Sequence, residues 1–147
     1  MDEEFYHKNL FAEVVDKSFA EAEEEKAPVG KKGKFFPDFA FTDAITARNK
    51  KEAWIQFHRE LASGLVSEQL FWATARHFKN LMLAKRTNSA AEADLNPFVY
   101  KKLQAGLRNF KEGELESISE SLVVGYHKAR RGEVEIEALL ERTLLSL

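Results

Sequence analysis

The sequence contains no cysteine. This absence excludes disulfides, thiolate zinc sites and a cysteine nucleophile, and it agrees with a reducing compartment. The first ten residues are acidic and have no apolar core, which argues against a secretory signal. No apolar run approaches the roughly 18 residues that a membrane-spanning helix needs. We therefore expect a soluble cytoplasmic protein without a membrane partner.

An excess of charge of either sign is also missing. The 22 lysines and arginines nearly balance the 24 acidic residues, so the net charge is −2. Such a balance gives no global attraction to nucleic acid, although local basic patches are compatible with it. Apolar material is plentiful, with 44% hydrophobic residues and twelve phenylalanines in 147 residues. That length and composition suffice for one domain with its own core.

The strongest periodic pattern lies in Ser67–Arg86. Its apolar residues recur at steps of one, three, four and seven, so the segment predicts a helix that is apolar over most of its circumference. Such a helix must be surrounded by others. No segment shows sustained alternation of apolar and polar residues with β-branched side chains. We predict an all-α fold, a single bundle of about six helices.

Two regions are predicted along the chain. Residues 1–35 form an N-terminal helix, extending to about residue 27, and a hinge loop within the glycine- and proline-containing segment Pro28–Pro37. Residues 36–147 form the main helical domain. The segment Thr87–Asp94 is predicted to be a polar connection between two of its helices.

Particular residues mark the predicted helix ends. Asn49, with Glu52 three positions later, predicts an N-terminal cap, and Ser67 predicts the cap of the central helix. Asn96 followed by Pro97 predicts a further start. The C-terminal stops are predicted at two glycines, Gly64 and Gly132.

A search for catalytic and ligand-binding motifs yields little. The segment 30–34, GKKGK, lacks the spacing and the hydroxyl of a phosphate-binding loop. Glu4 and His7 form one Glu-x-x-His pair, and a helical di-iron site needs two with further carboxylates. The remaining histidines are interpreted as surface or helix-packing residues: His58, His77 and His127. We predict no catalytic residue, no cofactor and no metal site.

The aromatic residues of the central helices have the spacing of core residues. We therefore assign the following to the core: Trp54, Phe57, Phe71, Trp72 and Phe78.

Two basic segments, Phe98–Lys102 and His127–Arg131, place aromatic rings beside lysines and arginines. A ring can stack on a base while a cation neutralises a phosphate. The candidate DNA contacts are accordingly Phe98, Lys101, Lys102 and Arg131. Cations at a helix C-terminus are also expected from the helix dipole alone, which favours a structural role for Arg131.

Four segments in order resemble a known family. They are FTDAITARNKKEA at 41–53, LFWATARHFKNLMLAK at 70–85, NPFVYKKLQAGLRNF at 96–110 and VEIEALLERTLLSL at 134–147. Their succession resembles the C-terminal region of the bacterial DNA polymerase III delta subunit, a clamp-loader protein, over about residues 36–147.

The resemblance implies a helical collar domain that packs with the collars of the other clamp-loader subunits in a five-membered ring. A secondary hypothesis is that Phe98, Lys101, Lys102 and Arg131 contact primer-template DNA near the collar, and no small-molecule substrate is expected. Arg76, His77 and Lys79 then lie on the part of the central helix that faces solvent or a neighbouring subunit. The family's N-terminal ATPase-like domains, which contact the sliding clamp, have no counterpart in residues 1–35. We therefore expect a fragment or a free-standing delta-like protein.

Two alternatives follow from the residues themselves. One is a small helical enzyme of nucleotide or RNA metabolism in which histidines and glutamates converge inside the bundle. The other is a stand-alone helical adaptor unrelated to replication.

Overall fold

A computed structural model describes residues 35–147, and these residues contain seven α-helices, one 3-10 turn and no strand. The predicted all-α bundle is confirmed. The predicted N-terminal helix, most of the hinge loop and the Glu4–His7 pair lie outside the described residues. The helices are α1 (Phe39–Thr46), α2 (Lys50–Ala62), α3 (Ser67–Arg86), α4 (Ala90–Ala93), α5 (Pro97–Gly106), α6 (Glu114–Arg130) and α7 (Ile136–Leu145), with the 3-10 turn at Leu107–Asn109.

Helix α3 is the centre of the bundle, as its apolar pattern predicts. Helices α5, α6 and α7 all pack against it, while α2 packs on α1 and α7. The nine buried residues of α3 are Leu70, Phe71, Trp72, Ala73, Thr74, Ala75, Phe78, Leu81 and Ala84.

Two predicted helix starts are confirmed by their hydrogen bonds. The Asn49 side chain accepts from the Glu52 backbone N–H at 3.1 Å. The Asn96 side chain accepts from the Phe98 N–H at 2.9 Å, with Pro97 in the first helical position. These short side chains satisfy donors that the first helical turn leaves unpaired.

Two local predictions are wrong. Ser67 does not cap α3, because the preceding Val66 is the cap residue and its N–H donates to the Gln69 side chain at 2.9 Å. The connection Thr87–Asp94 contains the short helix α4. This helix forms because the Ser89 hydroxyl accepts from the Glu92 N–H at 3.2 Å, which caps it.

The core assignment holds for four of the five aromatic residues: Phe57, Phe71 and Phe78 are fully buried and Trp72 nearly so. The core assignment of Trp54 is wrong, because 41% of this residue is exposed and its ring packs on the His58 ring. The inner face of α2 instead carries Glu60. Its carboxylate accepts from the Asp38 N–H at 3.0 Å, immediately before α1 begins.

Candidate interaction surface

The first turns of α1 and α5 each expose a phenylalanine beside Lys102. Phe39 is the first residue of α1 and is 66% exposed, and Phe98 is the second residue of α5 and is 67% exposed. The Lys102 ammonium lies between them, 5.2 Å from the Phe39 ring centroid and 5.6 Å from that of Phe98. We call these three residues the aromatic patch.

Asp43 fixes the lysine of the aromatic patch. The Lys102 Nζ lies 2.8 Å from one Asp43 carboxylate oxygen and 3.0 Å from the other. An exposed ion pair contributes about 0–1 kcal/mol, and a cation above a ring about 0.5–1 kcal/mol at such a site. Together these contacts order the long lysine side chain. They also neutralise its charge locally, so the patch is mainly an apolar surface.

A groove lies beside the aromatic patch, between α1, α3 and α5. Its volume is about 400 Å³, and Phe36 and Pro37 stand with Phe39 and Lys102 at its edge. The α3 wall consists of Ala73, Arg76, His77 and Asn80. The groove therefore combines an apolar edge with polar and cationic groups from the central helix.

His77 joins the wall of the groove to α1. Its Nε2 lies 2.6 Å from the Thr46 hydroxyl oxygen, and that hydroxyl donates to the Thr42 carbonyl. Burial lowers the pKa of His77 to about 4, with Asp43 raising it and Lys102 lowering it to smaller extents. The ring is therefore neutral at pH 7 and acts as a helix-packing residue, as one sequence interpretation predicts, and it contacts α1 of the same chain where the resemblance implied solvent or a neighbouring subunit.

Gly106 allows α5 to approach α1 at this point. A Cβ atom at Gly106 would overlap the methyl group of Thr46. Thr46 cannot rotate away without breaking its hydrogen bonds to His77 and Thr42. The glycine thus sets the spacing between the two helices that carry the aromatic patch.

The predicted DNA contacts lie on two elements of the bundle. Phe98, Lys101 and Lys102 all lie on α5, and Lys101 is exposed. Arg131 follows the end of α6, where its Nε lies 2.8 Å from a carboxylate oxygen of Glu133.

Near the end of α6, Tyr126 stacks on Phe71, whereas Gln104 of α5 donates to the Ala84 carbonyl. DNA contact by Arg131 or by the residues of α5 stays a prediction.

His58 belongs to a different contact. His58 Nε2 lies 3.1 Å from a Glu141 carboxylate oxygen, so it links α2 to α7. Across residues 35–147, no group of three or more His, Cys, Asp and Glu side chains is arranged to hold a metal ion. Over the same range, no helix has both the length and the apolar character to cross a membrane.

Sequence reasoning missed Phe39 and Asp43, although a signal was present. Phe39 and Phe41 are two positions apart on a helix of only eight residues, so they point to nearly opposite sides. Phe41 is fully buried, which leaves Phe39 on the surface.

Comparison with known proteins gives no relative: no protein-family model, no curated protein and no solved structure matches this chain.

Proposed function

We propose that this chain is a non-catalytic oligomerisation module of a bacterial DNA polymerase III clamp loader, comparable to the delta-subunit collar. It would act in the cytoplasm and support loading of the sliding clamp by binding other clamp-loader subunits. The observation that carries the proposal is the aromatic patch, a pair of exposed phenyl rings held around a paired lysine.

The all-α fold is compatible with this reading. Three of the four segments that resemble the delta family each correspond to one α-helix. Segment 70–85 lies within α3, segment 96–110 contains α5 with its 3-10 turn, and segment 134–147 contains α7. The remaining segment, 41–53, spans most of α1 and the start of α2. The resembling residues are thus spread through the bundle.

The aromatic patch has the composition of an interface centre. Aromatic residues are enriched there, and the residues that dominate binding cluster in such places. An aromatic side chain buries about 150–250 Å² and apolar burial is worth about 25 cal/mol per Å², so covering two thirds of one ring is worth about 3 kcal/mol. The ordered lysine between Phe39 and Phe98 reduces the entropy that binding must remove.

Binding to the other clamp-loader subunits of the host tests the proposal. We expect Phe98→Ser to weaken the affinity about 30-fold, since loss of a central aromatic residue costs about 2 kcal/mol. Val124→Ser is the matched control, because Val124 is 48% exposed on α6. Its affinity should equal that of the wild type, and thermal unfolding should confirm that both variants fold.

Two outcomes contradict parts of the proposal. If the unaltered chain binds none of these subunits, the clamp-loader function is wrong. If it binds and only Val124→Ser weakens the complex, the interface lies on α6 and the aromatic patch is not the contact.

A further inference from the structure

The outer side of α6 carries an exposed apolar residue between two opposite charges. Val124 is 48% exposed, and a rotation of about 100° per residue places it opposite the buried residues Leu115 and Leu122. Glu120 lies one turn before Val124 and Lys128 one turn after it, and both are exposed. We call Glu120, Val124 and Lys128 the α6 stripe.

The two charges of the α6 stripe are not paired within the described bundle. Among residues 35–147, neither the Glu120 nor the Lys128 side chain has a hydrogen bond or an ion pair. Lys128 lies near Glu133, but that carboxylate pairs with Arg131 at 2.8 Å. An ion pair within one helix needs residues three or four positions apart. Glu120 and Lys128 are eight positions apart, about 12 Å along the helix axis, so they cannot pair with each other.

The order of the charges makes the α6 stripe complementary to a second copy of itself. When two α6 helices lie antiparallel with Val124 against Val124, Glu120 of each copy faces Lys128 of the other. A two-fold interface makes each such contact twice, so it contains two ion pairs around one apolar contact. In a parallel arrangement like charges would meet, which is unfavourable.

The surface beside the α6 stripe leaves room for a second helix. A groove of about 400 Å³ lies between α6 and α7, and the short side chains of Ser117 and Ser121 line it together with Val124 and Lys128. A partner helix can therefore approach the stripe without a large side chain in its path.

We propose that the free chain forms a two-fold dimer through the α6 stripe, with the two α6 helices antiparallel. Only one helix of each copy contributes, so the buried area falls below about 1,200 Å², the range of transient interfaces. The dimer therefore forms at high protein concentration and dissociates at low concentration. This inference is independent of the clamp-loader function, because the aromatic patch of α1 and α5 takes no part in the contact.

Sedimentation equilibrium from micromolar to millimolar protein tests the association. The apparent mass should rise from 16.8 kDa toward twice this value. Lys128→Glu and Glu120→Lys should each raise the dissociation constant about tenfold, the scale that two exposed ion pairs supply. The control is Lys50→Glu, which makes the same charge change at an exposed position of α2 and should leave the dissociation constant unchanged.

Mixing the two reversed variants tests the pairing itself. Glu120→Lys has two lysines on its stripe and Lys128→Glu has two glutamates, so each variant repels itself and attracts the other. An equimolar mixture should therefore associate about as tightly as the wild type. Circular dichroism should show that both variants are folded.

Cross-linking tests the position of the two-fold axis. Because the sequence has no cysteine, Val124→Cys introduces a single thiol at the centre of the stripe. Disulfide formation requires Cα atoms within about 7 Å, so oxidised glutathione should link this variant about tenfold faster than Ala62→Cys, exposed at the end of α2.

Four results would overturn the proposal. They are a wild-type mass that stays at the monomer value in millimolar solution, equal effects of Lys50→Glu and Lys128→Glu, a mixture of the reversed variants that does not recover the association, and equal cross-linking rates of the two cysteine variants.

Discussion

Acidification should destabilise the bundle through His77. The ordinary pKa of histidine is about 6.5, as in the unfolded chain, whereas burial lowers it to about 4 in the folded protein. A lowered histidine pKa means that the unfolded state binds the proton more readily. The stabilisation by neutral His77 is therefore fully present above pH 6.5 and is lost as the pH falls toward 4.

The size of the effect follows from the two pKa values. One pKa unit corresponds to about 1.4 kcal/mol, so the full loss below pH 4 is about 3 kcal/mol. At pH 5 the unfolded histidine is almost fully protonated and the folded one is not, which gives a loss of about 2 kcal/mol.

Urea unfolding of the wild type and of His77→Gln at pH 7 and pH 5 measures this contribution. Glutamine retains a polar side chain that does not titrate, so the difference between the two proteins isolates the histidine. We expect the free energy of unfolding of the wild type, relative to the variant, to fall by about 2 kcal/mol between the two pH values. The other titrating groups, including Asp43 and Lys102, are present in both proteins.

Two observations would refute this reasoning. One is a difference between wild type and variant that stays constant from pH 7 to pH 5. The other is an NMR titration in which the His77 ring, identified by its absence in His77→Gln, protonates near pH 6.5. Either would mean that water reaches the ring and that the contact with Thr46 does not shield it.

Three further predictions concern packing, a buried carboxylate and DNA. Gly125→Ala should destabilise the protein by about 1–2 kcal/mol in thermal unfolding, because a Cβ there overlaps the Leu139 side chain. In a Leu139→Ala background the same change should be neutral, and an equal cost would exclude packing as its cause. Glu60→Ala should lower the free energy of unfolding by about 2–3 kcal/mol, because the Asp38 N–H before α1 loses its acceptor. Glu60→Gln should lower it clearly less. If the chain binds primer-template DNA, Lys101→Gln should reduce the salt slope by about 0.9 and Lys102→Gln by less, because Lys102 already has a carboxylate partner. An unchanged slope for both variants would remove α5 from the DNA contact.

The parts of the fold that sequence predicted correctly depend on short-range physics. The caps at Asn49 and Asn96 are hydrogen bonds to residues two or three positions away. The central helix α3 is long enough for its apolar periodicity to be unambiguous. The four residues of α4 are too few to show any period, so this helix was predicted as a connection.

The orientation of α2 shows what sequence alone does not contain. The spacing of Trp54 predicts a core position, yet Trp54 is 41% exposed and Glu60 is 1% exposed. A contact with another part of the chain favours burial of Glu60, because the Asp38 N–H, where α1 begins, needs the Glu60 carboxylate as its acceptor. The buried side of a helix is thus set by groups distant in sequence.

The same limitation applies to the candidate site. The sequence identified Phe98 and Lys102 as a ring beside a cation. It did not show that Phe39 of another helix completes the aromatic patch, that Asp43 of the same helix pairs with its lysine, or that Arg131 pairs with Glu133. Those relations depend on how α1, α5 and α6 are arranged around α3.

Native mass spectrometry of this chain mixed with the other clamp-loader subunits of its host tests the central claim most directly. We predict that one copy enters an assembly with those subunits and that Phe39→Ser with Phe98→Ser abolishes its entry while the protein stays folded. A chain that remains outside the assembly, or a double variant that enters as well as the wild type, would contradict the proposed function or the proposed surface, respectively.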